Sequence, residues 1–268
     1  LSVLLEGLFN SVDQALIDYQ VIFFPSQKLS PIERRDLAKR FGDIDIPKFN
    51  PPFDMPKVSG HPGIYQLLKE ANDQSMNIGG FWHADVTHRE LPNKLSIANM
   101  IDAPSCGGDT LYSNLYMALE MLSEGMRAIH TGEMPYGGKE ARSPTVSRSR
   151  LKLSKEIDFE VTNLEAEKIE TSHPVVRRHP ETGRKLLYVN RGFTSHFERM
   201  TREESFSLLD YLWRHTERSE FTCRYRWRSG TVGIWDFRCV LHQALNDYFG
   251  QRRLVHRISV NEDVRPSI

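Results

Sequence analysis

The run FTCRYRWR at residues 221–228 constrains the fold more than any other stretch of the chain. Phe221, Cys223, Tyr225 and Trp227 fall on one face of an extended strand, and Thr222 with three arginines falls on the other. A period of two marks a strand half-buried on a sheet. Ser229-Gly230 turns the chain into a second strand, TVGIWD at 231–236, and RLVHRISV at 253–260 supplies a third. LSIANMI at 95–101 adds another before a turn at SCGGD, residues 105–109. Strands in series without a βαβ rhythm predict a mostly β protein with flanking helices, of sandwich or barrel type.

The helices announce themselves by their ends. Ser30-Pro31-Ile32-Glu33 is a capping box with proline at the first helical position, and the helix it opens should stop at Gly42. Thr201 and Glu204 cap a second helix running to about Thr216. Leu5, Leu8, Phe9, Val12, Leu16 and Tyr19 recur at helical spacing ahead of the short strand VIFF at 21–24, and another helix is expected over roughly 115–129. Residues 43–80, with five prolines, read as irregular, and 134–170, polar and long, read as a lid or mobile loop. No linker-like shift divides the chain, so residues 1–268 are expected to form one domain. Leu1 falls inside a helical pattern, so further residues are expected before it.

Charge narrows the partners. Lys+Arg and Asp+Glu are equal at 35 each, so no overall field favours nucleic acid or an anionic membrane. No apolar run approaches the roughly 18 residues of a membrane helix. Cys106, Cys223 and Cys239 are widely spaced and match no zinc pattern; they read as buried small hydrophobes of a reduced, cytoplasmic protein. A homo-oligomer is compatible with all of this.

Chemistry concentrates in FWHADVTH at residues 81–88. Extended backbone would project His83 and Asp85 to one side, as two ligands of a divalent metal or as a hydrogen-bonded pair. His242, at the end of an apolar stretch, could complete the set. Two imidazoles and one carboxylate leave coordination positions open, as in non-haem Fe(II) oxygenases, where a 2-oxo acid and O2 bind. Arg253 and Arg257, four residues apart on one strand, could grip a carboxylate bidentately. The same ligands would also suit a zinc hydrolase, and the arginines a non-catalytic barrel that binds a small anion.

Four blocks in order, WHADVT at 82–87, GGDT at 107–110, Trp235-Asp236 with His242, and NDY at 246–248 with QRRLVHR at 251–257, resemble the taurine dioxygenase family of Fe(II)/2-oxoglutarate-dependent oxygenases. The resemblance extends from VIFFP at 21–25 and FGD at 41–43 to the last strand. It implies a double-stranded β-helix (jelly-roll, cupin-like) core and a dioxygenase using Fe(II), 2-oxoglutarate and O2. His83, Asp85 and His242 match the iron ligands; Thr110 and Arg253 match the contacts of the 2-oxoglutarate carboxylate. Arg257 matches an arginine that meets an anionic group of the substrate, and Phe193, in YVNRGF at 188–193, matches a pocket aromatic. His88 stands where the family commonly has an aromatic, and 43–80, a substrate-side segment in the taurine enzyme, has little match. Asn99 is a further candidate inward polar group. With Asp85 intact, hydroxylation of a small carboxylate or sulfonate is expected, desaturation or cyclisation being the alternatives.

Overall fold

The computed structural model describes residues 1, 6–46, 55–119, 126–136 and 169–268. Helix α1 (Glu6–Tyr19) leads into β1 (Val21–Phe24), and α2 (Pro31–Phe41) follows. Ser30 makes the capping box expected of it: its hydroxyl accepts from Glu33 N–H, and the Glu33 carboxylate accepts from Ser30 N–H at 2.7 Å. Then come β2 (Lys57–Val58), β3 (His61–Lys69), β4 (Asn93–Asp102), β5 (Thr110–Asn114), β6 (Arg127–Thr131), the short α3 (Glu133–Tyr136), β7 (Glu170–Pro174), β8 (Val176–Arg178), β9 (Lys185–Leu187) and β10 (Thr194–Phe197). Helix α4 (Arg202–Thr216), capped by Thr201 and Glu204 as expected, precedes β11 (Thr222–Tyr225), β12 (Val232–Asp236), β13 (Val240–Ala244) and β14 (Arg253–Asn261).

A six-stranded antiparallel sheet runs β1-β12-β4-β14-β3-β2. One face carries Leu95, Ile97, Val232, Ile234, Ile258 and Val260 under Phe9, Val12, Leu16, Leu37 and Phe41 of the two N-terminal helices. The other face carries Ala98, Met100, Trp235 and Val255 and shares a core with Tyr112, Val240 and Leu241 of the three-stranded sheet β11-β5-β13. Each buried side chain contributes about 1.5–3 kcal/mol, so the register is held firmly. A slip of β14 by one residue would drive Arg257 against the helices and turn Ile258 toward the second sheet. A third sheet, β10-β6-β7, packs with Leu209, Leu212 and Trp213 of α4.

Several expectations are corrected. Residues 43–80 are not irregular throughout: β2 and the nine-residue β3 lie there, and β3 pairs with β14 over Tyr65–Lys69. Pro62 precedes that ladder, where its missing N–H costs no bond to β14, so proline misled the reading. Where a helix is expected over 115–129, the described residues form a 3-10 turn at Met117–Leu119 and β6, a central strand paired on both sides, while 120–125 lie outside the described residues. Pairing overrides local pattern there. Cys106 and Cys223 are exposed and only Cys239 is buried. Most of the expected lid at 134–170 lies outside the described residues. No described helix is long and apolar enough to cross a membrane.

Candidate metal centre and anion clamp

His83 and His242 face each other across an isolated antiparallel bridge. His83 N–H donates to His242 C=O at 3.1 Å, and His242 N–H donates to His83 C=O at 2.9 Å. The side chains repeat the theme. His83 Nδ1 lies 2.7 Å from Phe81 O, and His242 Nδ1 lies 3.0 Å from His83 O. A carbonyl oxygen only accepts, so both Nδ1 atoms carry their protons and both Nε2 atoms are turned to one side. Burial pushes the His242 pKa well below its ordinary value, so its Nε2 is a bare lone pair. Phe81, Trp235 and Phe237 wall the two rings at centroid distances of 4.8, 5.2 and 5.5 Å. Gly79, at φ +75°, lies beneath: a Cβ there would approach His83 Cε1 to 2.9 Å.

Asp85 completes the group. Its Oδ1 lies 3.2 Å from His83 Nε2, and the ligand atoms of His83, Asp85 and His242 all lie within 4.8 Å of one another, buried. Burial works against ionisation of Asp85, but Arg257, whose Nη2 donates to Asp85 Oδ2, outweighs it and holds the carboxyl well below the usual carboxylate range. The 3.2 Å between Nε2 and Oδ1 can be closed by a proton or by a metal ion. A divalent ion fits the donor set, since His242 aims a third lone pair at the same point. Val86, the next residue, is β-branched with φ +48°, a left-handed conformation costing on the order of 1–3 kcal/mol.

The candidate clamp is on the same face of β14. Arg253 is 8 % exposed; its Nε donates to Gly108 O at 3.2 Å, and among the described residues no carboxylate forms an ion pair with it. The Gly108 turn is held in turn by Asp247, whose Oδ1 accepts Gly108 N–H at 2.7 Å, and by Arg224, which bridges Asp109 and Asp247. Asp247 is thus engaged with this turn, and the acid that pairs with Arg257 is Asp85. Thr110 is buried, and its hydroxyl accepts from Trp227 Nε1 at 2.8 Å. Thr110 and Tyr112 share a face of β5, and Tyr112 is the cross-strand partner of His242, which links the candidate clamp to the candidate metal centre.

The remaining candidates divide. Phe193 and His88 are buried and stacked, centroids 5.2 Å apart. Burial, then Arg89 and His173, pushes the His88 pKa down to about 3, so this wall is uncharged. Asn99 is not brought to the centre. It shares the helix-facing side of β4 with Leu95 and Ile97, opposite Val232 and His256, and its Nδ2 donates to Thr231 O at 3.3 Å. The strand's alternation, visible in the sequence, excludes it. Thr87 and Asn190 were not singled out, yet both are buried and bonded to each other at 3.2 Å. Their position inside WHADVT and YVNRGF was the only available signal.

Comparison with known proteins agrees with this geometry. Residues 1–259 match the family described as "Taurine catabolism dioxygenase TauD, TfdA family". An alkylsulfatase of Acinetobacter baylyi is 33% identical over 261 residues, 94% of this chain and 76% of that protein. An alpha-ketoglutarate-dependent sulfate ester dioxygenase of Pseudomonas putida is 32% identical over 263 residues, 95% of this chain and 81% of that protein. The crystal structure of a taurine dioxygenase from Burkholderia xenovorans superposes with TM-score 0.75 at 29% identity, covering 98% of this chain and 84% of that one.

Proposed function

This chain belongs to the TauD, TfdA family and is an alpha-ketoglutarate-dependent dioxygenase, and from that premise we propose that it uses iron to hydroxylate a C–H bond of a small anionic organic molecule. His83, Asp85 and His242 would hold the ion. Bound there with 2-oxoglutarate, iron supplies oxidation of a C–H bond by O2 coupled to formation of succinate and CO2. The observation that carries this reading is the convergence of two imidazoles, each with its proton spent on a carbonyl, upon a carboxylate kept ionised by Arg257. The two facing antiparallel sheets that frame the site support a double-stranded β-helix core.

The chain's own groups divide the remaining work. Arg253 offers a buried guanidinium with no acid partner among the described residues, which suits the distal carboxylate of 2-oxoglutarate, and Thr110, on β5 of the facing sheet, adds a hydroxyl. Arg257 steadies Asp85 and retains a buried Nε–H with no partner among the described residues, available to an anionic substrate. Phe193 and His88 present an uncharged wall to the apolar part of that substrate, and Trp235 and Phe237 keep water from His242. Relatives named for sulfate esters and sulfonates make an alkyl sulfate or sulfonate the preferred class. Hydroxylation at the carbon bearing a sulfate ester oxygen would give a hemiacetal that expels sulfate and leaves an aldehyde.

The test is a panel of alkyl sulfates, alkylsulfonates and aryloxyacetates incubated with Fe(II), 2-oxoglutarate and O2 and scored by succinate release. Substrate-dependent succinate from an anionic member is expected. Release stimulated only by neutral or cationic compounds would overturn the substrate class, and the absence of both succinate release and any 2-oxoglutarate-dependent change in the Fe(II) spectrum would overturn the centre.

A further inference from the structure

The turn that follows Asp85 is held from outside at its carbonyls, His88 C=O accepting from Thr171 at 2.7 Å and Arg89 C=O from His173 Nε2 at 3.0 Å, and through the side chain of Thr87. Thr87 is 1 % exposed, and its hydroxyl accepts from Asn190 Nδ2 at 3.2 Å while sharing a second hydrogen bond with His130 Nδ1 at 3.0 Å. Asn190 is buried and has no spare polar atom. Its Oδ1 accepts Phe193 N–H at 2.8 Å, its own N–H donates to Thr194 Oγ1 at 2.9 Å, and its C=O accepts Thr194 N–H at 3.0 Å. The loop it organises presses on the ligands: a Cβ at Gly192 would lie 2.6 Å from Phe81 Cε2 and 3.0 Å from His83 Cβ. The same loop places Phe193 against His88.

Val86 sits between the carboxylate and this anchor. Left-handed backbone is unfavourable for a β-branched residue and persists only where its surroundings over-determine it. On one side Asp85 is fixed by Arg257, and on the other Thr87 is fixed by Asn190 and His130. Arg89 N–H to Val86 C=O at 3.0 Å closes the turn. Releasing Thr87 would let Val86 relax toward negative φ and swing the Asp85 carboxylate away from His83 Nε2.

We infer that Asn190 is a positioning residue that, through Thr87, aims Asp85 at the metal and fixes in one unit the Phe193–His88 wall. The inference rests on the metal reading of His83, Asp85 and His242. Outer partners of metal ligands commonly carry about tenfold or more in metal affinity.

The experiment is anaerobic titration of the whole chain with Mn(II), without 2-oxoglutarate or substrate, alongside thermal melting. Asn190→Ala and Thr87→Val should each weaken Mn(II) about tenfold, Thr87→Ser should retain wild-type affinity, and the double variant should be no worse than the weaker single. Folded Asn190→Ala with wild-type Mn(II) affinity would overturn the inference and leave the metal centre standing. If Asn190→Ala does not fold, the isosteric Thr87→Val against Thr87→Ser decides: equal affinities in that pair overturn it. A wild-type chain that takes up no Mn(II) overturns both readings together.

Discussion

Among the described residues two buried clusters pair a histidine with an aspartate, and one of them keeps lone pairs unspent. At the candidate centre His83 Nε2 lies 3.2 Å from Asp85 Oδ1; at the end of β12, His179 Nε2 lies 3.0 Å from Asp236 Oδ2. Cys239 lies beside the second pair and makes it, too, a set of three potential ligands. In both, burial opposes the carboxylate charge and an arginine restores it, Arg257 in one and Arg238 in the other. The difference lies in what is left over. His179 Nδ1 accepts from the N–H groups of Glu181 and Thr182, both at 3.3 Å, so its proton is on Nε2 and goes to Asp236. Arg238 engages both Asp236 oxygens and reaches Glu181 at 2.7 Å. Burial raises the Cys239 thiol well above its ordinary pKa, so no thiolate is on offer. Competence to bind a metal resides in unspent lone pairs, and the same residue types can spend them all on structure.

The contrast can be broken most directly at the open cluster. His83→Ala, Asp85→Ala or His242→Ala should each abolish 2-oxoglutarate-dependent succinate release while circular dichroism stays that of the parent. Turnover surviving in any one of them removes that residue from the ligand set. The closed cluster should respond in the opposite currency. Asp236→Ala removes the carboxylate whose two oxygens Arg238 grips and that accepts from His179, and should lower stability by about 3–5 kcal/mol in denaturant titration, with Mn(II) affinity of the folded fraction unchanged. Lost Mn(II) affinity with little loss of stability would erase the distinction.

Arg253→Gln tests whether an unpaired buried cation is reserved for a ligand. Its 2-oxoglutarate affinity should fall by about 2–5 kcal/mol with metal affinity intact. An unchanged 2-oxoglutarate titration would place the clamp elsewhere. Buried neutral histidines away from both clusters set an acid limit. The pKa of His88 is pushed from 6.5 to about 3 and that of His173 to about 4, chiefly by burial. Below 6.5 the unfolded chain binds protons that the folded chain refuses, so stability present above 6.5 is lost as pH falls toward 3–4. Each contributes at most about 1.4 kcal/mol per pH unit. Denaturant midpoints that stay flat from pH 6.5 to 4 would contradict this. The smallest effect is expected at Arg224, half exposed, where Arg224→Gln should shift 2-oxoglutarate affinity by less than about 1 kcal/mol. A loss as large as that of Arg253→Gln would show that the Gly108 turn depends on this bridge.

What the sequence disclosed follows the same division. The helix caps at Ser30 and Thr201, the strands around β12 and β14, and the converging His83, Asp85 and His242 were legible because each is a local pattern or a run of matching motifs. β3 was hidden by Pro62, and β6 by a stretch whose pairing partners, β7 and β10, lie well down the chain. The His179–Asp236–Arg238 network spans 57 residues between its histidine and its acid, and no local rule brings them together. Asn190 was passed over beside Phe193 because an amide inside a motif carries no charge or metal preference to flag it. Asn99 was misassigned although its parity with Leu95 and Ile97 already placed it on the far face.

The bridge between His83 and His242 joins positions 159 residues apart. Contacts of such separation form late, after the entropy of closing a long loop has been overcome. His83 and Asp85 can be displayed early, but the third ligand arrives only when β13 has docked. On the proposed ligand set, an ion that binds only the closed form would shift the folding equilibrium toward it. At a free concentration a hundred times its Kd, that shift amounts to about 2.7 kcal/mol. With the proposed ligand set, loading and final folding would be one thermodynamic event.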